Sequence, residues 1–123
     1  MKQIAVRSDD ERLKMDGPDL MLPPKVSVSL AMAIHELATN ALKYGSLGRE
    51  DGKVEIRWKD EGDRLRLTWK EIGGPPVVQP TKRGFGTRMI ERGLAAELGG
   101  NVRIHYDPDG VRCEVDAPMP AHG

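Results

Sequence analysis

The sequence has few of the residues on which several kinds of site depend. It contains a single cysteine, Cys113, which excludes an internal disulfide and a metal site built from several cysteines. Five of its 123 residues are aromatic, and its 19 basic side chains are balanced by 19 acidic ones. This balance and this scarcity argue against a nucleic-acid groove, which needs positive charge and aromatic stacking surfaces.

Long apolar runs are also absent. The longest begins at Leu30 and ends at Ile34, far short of the ~20 residues that a membrane-spanning helix needs. Hydrophobic residues make up 38% of the chain and charged residues 31%, a composition typical of a globular domain. We expect one domain over 1–117 and a disordered tail over 118–123.

Glycine and proline, by contrast, are abundant, with 14 and 9 residues. Between Gly73 and Gly86, seven of 14 positions are one or the other. In a small domain such a segment is either a flexible linker or a functional loop.

The pattern of apolar residues predicts two helices and three pairs of strands. In the first helix the apolar positions recur with helical spacing, and Gly45 follows as a C-terminal cap. The Gly/Pro loop is expected to begin at Glu71. Because hairpins pair antiparallel and two amphipathic helices can cover one sheet face, the expected fold is a two-layer α/β sandwich. The predicted elements are strands at 2–8 and 11–15, a helix at 25–44, strands at 53–58 and 64–69, a helix at 87–98, and strands at 101–106 and 111–117.

The polar side of the first helix holds a possible site. At 100° per residue, Glu36, Asn40 and Lys43 fall within an arc of ~60° beside the apolar stripe. A carboxylate can orient a nucleophile, an amide oxygen can ligate Mg²⁺, and an ammonium group can neutralise phosphate. The same three residues also fit an ordinary solvated helix surface with a weak Glu–Lys pair.

A glycine turn opens the second predicted helix, at Gly84-Phe85-Gly86-Thr87. Free backbone N–H groups at a helix N-terminus bind anions, phosphate above all, although the same turn also fits a plain helix start. The glycines match neither the P-loop pattern nor the dinucleotide-binding fingerprint.

Together these segments resemble the boxes of the Bergerat-fold (GHKL) ATPases. The segment 35–45 (HELATNALKYG) resembles their N-box, 69–76 (WKEIGGPP) their first glycine box, and 84–87 (GFGT) their second. The histidine before Glu36 and the W-x-E triplet resemble one branch, the HWE sensor histidine kinases. The resemblance extends from about Met21 to Gly110 and implies an α+β fold with a mixed, mostly antiparallel sheet covered on one face by helices.

The resemblance also implies ATP and Mg²⁺ as ligands and assigns roles to single residues. Asn40 would ligate Mg²⁺, Glu36 would polarise the phosphoacceptor, and Lys43 would contact phosphate. Glu71 would stand where relatives carry an aspartate that accepts a hydrogen bond from the adenine amino group. The remaining nucleotide-binding residues would be Tyr44, Gly73, Gly84, Gly86 and Thr87.

Two departures from the family pattern concern the adenine contact and the loop. Glu71 and Pro75 replace the first and last residues of the usual D-x-G-x-G box. Twelve residues lie between Glu71 of the first glycine box and Gly84 of the second, which implies a short lid over the nucleotide. His35 lies about 100° from Glu36 around the helix, so we do not expect it to be the phosphoacceptor.

The implied function is the catalytic domain of a two-component sensor histidine kinase, located in the cytoplasm, with no nucleic-acid or direct membrane contact. Its partners would be a histidine-bearing dimerisation domain, for which the chain has no helical hairpin, and indirectly a response regulator. Two alternatives stay open at this point. One is a Bergerat-fold serine kinase of the anti-sigma-factor type, and the other is a degenerate domain that binds partners but no nucleotide.

Overall fold

The computed structural model describes residues 12–75 and 90–119 of the chain. The predicted strand at 2–8, most of the Gly/Pro loop and the second glycine box lie outside these ranges. The described elements are β1 (Leu13–Asp16), α1 (Pro24–Tyr44), a 3-10 turn (Ser46–Gly48), β2 (Lys53–Asp60), β3 (Arg64–Ile72), a π-helical turn (Ile90–Leu94), α2 (Ala95–Leu98), β4 (Asn101–Asp107) and β5 (Gly110–Pro118).

The described strands form one five-stranded sheet in the order β1-β2-β3-β5-β4. β1 runs parallel to β2, and the other neighbours pair antiparallel, so the expected mixed, mostly antiparallel sheet is confirmed. Alternate strand residues are buried on one face of the sheet, where the helices pack, and polar residues occupy the other. The α+β two-layer architecture predicted from the sequence is therefore correct.

α1 starts one residue before its predicted first position, because proline is tolerated in the first turn of a helix. All six residues of its predicted apolar stripe are buried in the core. Gly45 directly follows the helix, and its N–H donates to the carbonyl of Ala41 at 3.0 Å. Its φ of −127° and ψ of −150° are extended, however, so it is not the left-handed cap that glycine usually forms. The stripe comprises Val26, Leu30, Ala33, Ile34, Leu37 and Ala41.

β3 is longer than predicted, so the loop after it starts later than expected. Glu71 lies inside the strand, paired with Val54, and the strand ends at Ile72. Because side chains alternate along a strand, Trp69 and Glu71 both face the core, and both are buried. The loop begins only after them, at Gly73.

The second helix differs from the continuous α-helix expected over 87–98. Its described part begins with the π-helical turn and continues as α2, and Gly99 caps it with a φ of +68°. Residues 87–89 lie outside the described ranges. No helix in the described segments is long and apolar enough to cross a membrane.

The last strand extends into the segment that was expected to be a disordered tail. Pro118 belongs to β5 and pairs with Arg64, and the N–H of Met119 donates to the carbonyl of Asp63 at 2.8 Å. These two residues are thus ordered by contacts with β3 and the loop before it, while 120–123 lie outside the described residues.

Candidate functional site

The polar row on α1 lies on an unbroken helix, so its predicted spacing is kept. Glu36 and Asn40 are half-buried, and Lys43 is exposed. Three groups with different chemistry therefore project from the same side of α1, graded from the edge of the core to solvent. Within the described ranges no cluster of three or more His, Cys, Asp or Glu could hold a metal ion. The side-chain oxygen of Asn40 is of the type that ligates a hard cation such as Mg²⁺.

The carboxylate of Glu71 connects the end of β3 to the end of α1. Its Oε1 accepts hydrogen bonds from the backbone N–H of Ser46 at 3.2 Å and from the Ser46 hydroxyl at 3.5 Å. Its Oε2 accepts a hydrogen bond from the indole Nε1–H of Trp69 at 3.3 Å. An ionised carboxylate has about four acceptor positions, so the donors among residues 12–75 and 90–119 leave one of them, on Oε2, for another partner.

Two glycines allow close packing around Glu71 and Ser46. A β-carbon at Gly45 would overlap Oε1 of Glu71. A β-carbon at Gly74 would lie 2.7 Å from Cα of Ser46, closer than such atoms approach in proteins. The glycines of the N-box and of the first glycine box are therefore required by close packing around Ser46 and Glu71.

Burial governs the electrostatics of Glu71, which is 5% exposed. Desolvation raises the pKa of its carboxyl above the ordinary value, and the hydrogen bonds from Ser46 and Trp69 act in the opposite direction. The donors all point at the carboxylate, so they stabilise the charged form that burial disfavours. A buried acceptor group at the end of a strand, next to a glycine turn, can accept a hydrogen bond from a donor group on a ligand.

Of the other predicted site residues, Gly73 and Tyr44 lie within the described ranges. Gly73 has a φ of +77° in the turn after β3, a conformation that favours glycine. Tyr44 is 77% exposed at the last position of α1. Gly84, Gly86 and Thr87 lie outside the described residues.

Sequence reasoning did not single out Ser46. It is 1% exposed and supplies two of the donors to Glu71. It follows the helix directly, where neither periodicity nor composition marks a residue as buried. The only sequence signal was its position immediately after the N-box.

The chain is similar, in sequence and in fold, to proteins named as histidine kinases. Over 114 residues the chain is 43% identical to a blue-light-activated histidine kinase of Brucella anthropi, covering 89% of this chain but 23% of that protein. It is 22% identical to the histidine kinase domain of a blue-light activated histidine kinase from Erythrobacter litoralis, with a TM-score of 0.71 over 89% of this chain and 53% of that one.

A further solved structure is the histidine kinase ThkA in complex with response regulator protein TrrA. The TM-score is 0.61 at 20% identity, covering 87% of this chain and 33% of that one. No family model matches the chain. The chain spans about a quarter of the length of the Brucella relative. In sequence the chain is similar to about a quarter of a blue-light-activated histidine kinase, and in fold it is similar to a solved histidine kinase domain.

Proposed function

We propose that this chain binds ATP with Mg²⁺ and transfers the γ-phosphoryl group to a histidine on a separate dimerisation domain. The observation that carries the proposal is the meeting of two boxes around one buried carboxylate. The N-box helix ends at Tyr44, and the two residues after it, Gly45 and Ser46, lie directly against Glu71 and Gly74 of the first glycine box. The polar row of α1 lies on the three turns of helix before Gly45, and this supports the assignment of Glu71 as the acceptor for a nucleobase.

The residues of the polar row fit a magnesium nucleotide. Mg²⁺ is usually held by one or two protein oxygens together with phosphate oxygens and water, and Asn40 offers one oxygen. Lys43, exposed one turn further along, would place its ammonium group near a phosphate. When bound, Mg²⁺ neutralises charge on the phosphate oxygens.

Glu36 lies one turn before Asn40 and is half-buried. We assign it the orientation and polarisation of the acceptor imidazole, whose nitrogen attacks the γ-phosphorus as the bond to the bridging oxygen of ADP breaks. Glu71 would accept a hydrogen bond from the adenine amino group through its remaining position. Tyr44, Gly73, Gly84, Gly86 and Thr87 complete the proposed nucleotide-binding set.

Binding is tested by calorimetric titration of the chain with ADP in the presence and absence of Mg²⁺. We expect a dissociation constant on the order of micromolar that depends on Mg²⁺. Asn40→Ala should abolish measurable binding, whereas Asn101→Ala, at an exposed position on β4, should leave it unchanged. Absence of heat and of a thermal shift with the unmodified chain would refute the proposal.

The acceptor is tested with labelled ATP and a separate histidine-bearing dimerisation domain. Acid-labile label on that domain supports transfer to histidine. Acid-stable label on serine of an added protein would instead identify a serine kinase. The histidine before Glu36 and the W-x-E triplet favour the first outcome, and so does the likeness to histidine kinases. Transfer onward to a response regulator would place the chain in a two-component pathway.

A further inference from the structure

Trp69 and Glu71 lie on the same inward face of β3, two residues apart. Trp69 is completely buried, so its indole N–H cannot be satisfied by bulk water. Its partner is Oε2 of Glu71 at 3.3 Å. Among the described residues this oxygen has one donor and Oε1 has two, both from Ser46, so a free acceptor position remains on Oε2.

The two sets of donors fix the carboxylate from different directions. Ser46 holds Oε1 from the turn after α1, and Trp69 holds Oε2 from within β3. The terminal torsion of a glutamate is otherwise soft, so a carboxylate held at one oxygen only could rotate. With both oxygens held, the remaining lone pair of Oε2 has one direction.

We propose that Trp69 is a positioning residue for nucleobase recognition. Its N–H would orient Oε2 of Glu71 so that the remaining lone pair meets the exocyclic amino group of a 6-aminopurine. A 6-oxopurine presents a carbonyl oxygen at the same place, which faces that lone pair without a proton between them. This inference rests on the proposed function, since it assumes that a nucleotide base reaches Glu71.

The chain offers a matched control for removing an indole N–H. Trp58 lies on β2, is only partly buried, and donates its Nε1–H to the carbonyl of Pro18 at 2.6 Å. Trp69→Phe and Trp58→Phe therefore delete the same group, one at Glu71 and one away from it. A general loss of core packing would be seen in stability and in the affinity for every nucleotide, whereas loss of positioning would change only the choice between bases.

The test is calorimetric titration of ADP and of inosine diphosphate (IDP) into each variant with Mg²⁺. In the unmodified chain we expect ADP to bind at least about tenfold more tightly than IDP. In Trp69→Phe the two dissociation constants should differ by no more than about threefold, while the affinity for IDP stays nearly unchanged. In Trp58→Phe the preference for ADP should persist. A folded Trp69→Phe chain with an unchanged ratio would refute positioning by Trp69.

A second variant covers the case in which Trp69→Phe does not fold. In the Trp58→Phe background, position 69 carries the only tryptophan, and biosynthetic replacement by 3-benzothienylalanine exchanges its N–H for sulfur with almost the same shape. The same loss of base selectivity is expected. Equal ADP and IDP binding by the unmodified chain would overturn the inference while leaving nucleotide binding in place, and binding of neither would overturn both.

The pH dependence of base selectivity gives an independent readout. Protonation of Glu71 removes an acceptor, so the preference for ADP should be lost as the pH falls through the pKa of Glu71. The Trp69 hydrogen bond lowers this pKa, so any preference left after its removal should be lost at a higher pH. An identical pH midpoint in the two chains would count against the inference.

Discussion

Gly45 and Glu71 are packed so closely that a β-carbon on the glycine would overlap Oε1 of the glutamate. The two residues belong to different boxes, 26 positions apart in the sequence. The backbone of Gly45 is extended, with a φ that any residue can adopt, so glycine is needed here for space and not for conformation. The position of the Glu71 carboxylate therefore requires glycine directly after α1.

Gly45→Ala should destabilise the fold. The new methyl group would push the carboxylate away from Ser46 and weaken both hydrogen bonds to Oε1, at a cost of about 1–3 kcal/mol in the free energy of unfolding. Gly93→Ala is the control, because a β-carbon at that helical position meets nothing within 4 Å and alanine is the better helix former. Urea denaturation measures both variants, and equal stability of the two would contradict the packing described here.

Stability should also depend on pH through Glu71. Burial raises its pKa in the folded chain above the ordinary value of 4.5, so between these two pKa values the folded state binds more protons than the unfolded state. The contribution of this group to the free energy of unfolding therefore falls as the pH rises through that window, and it is constant above it. Glu71→Gln should remove this slope.

The measurement for Glu71 is the free energy of unfolding of wild type minus that of each variant, followed across the acidic pH range. Glu50→Gln, which changes an exposed carboxylate in the turn before β2, serves as the control. If the difference in free energy of unfolding between wild type and Glu71→Gln does not vary with pH, burial does not raise the pKa of Glu71.

Sequence reasoning located α1 to within one residue, because a long stretch without glycine or proline carries a continuous apolar stripe. It also found both hairpins, where strict alternation is interrupted by polar turns. It did not predict that β1 pairs parallel with β2. A strand of four residues carries no signal of its partner, and only the register Leu13 to Val54 reveals it.

The sequence predicts Glu71 at the start of the Gly/Pro loop, and a charged residue seldom lies on the inward face of a strand. The burial of its side chain depends on donors from Ser46 and Trp69, of which one is distant in sequence. Such compensation is a property of the tertiary fold, so no local pattern could show it. The close approach of Gly74 to Ser46 could not be predicted from the sequence for the same reason.

Cys113 should be unreactive in the folded chain. It is 1% exposed, and burial together with the negative charge of Glu91 raises the pKa of its thiol to about 12. Only the thiolate reacts with aromatic disulfide reagents, so reaction near neutral pH should be at least about 100-fold slower than in denaturing guanidinium chloride. Because the chain has one cysteine, the thiol signal reports a single position, and Cys113→Ser gives the blank. Rapid stoichiometric labelling of the folded chain would contradict this.

Glu36→Gln should separate nucleotide binding from phosphoryl transfer. The amide has nearly the same shape but cannot polarise the acceptor imidazole as a carboxylate does, so the transfer rate should fall by about 10²- to 10⁴-fold. Because Asn40 and Glu71 would still hold the nucleotide, its dissociation constant should change by less than about threefold. Single-turnover transfer from labelled ATP to the dimerisation domain measures the first quantity, and calorimetry the second. Glu50→Gln should change neither, and a Glu36→Gln chain that transfers at the unmodified rate would remove Glu36 from the chemistry.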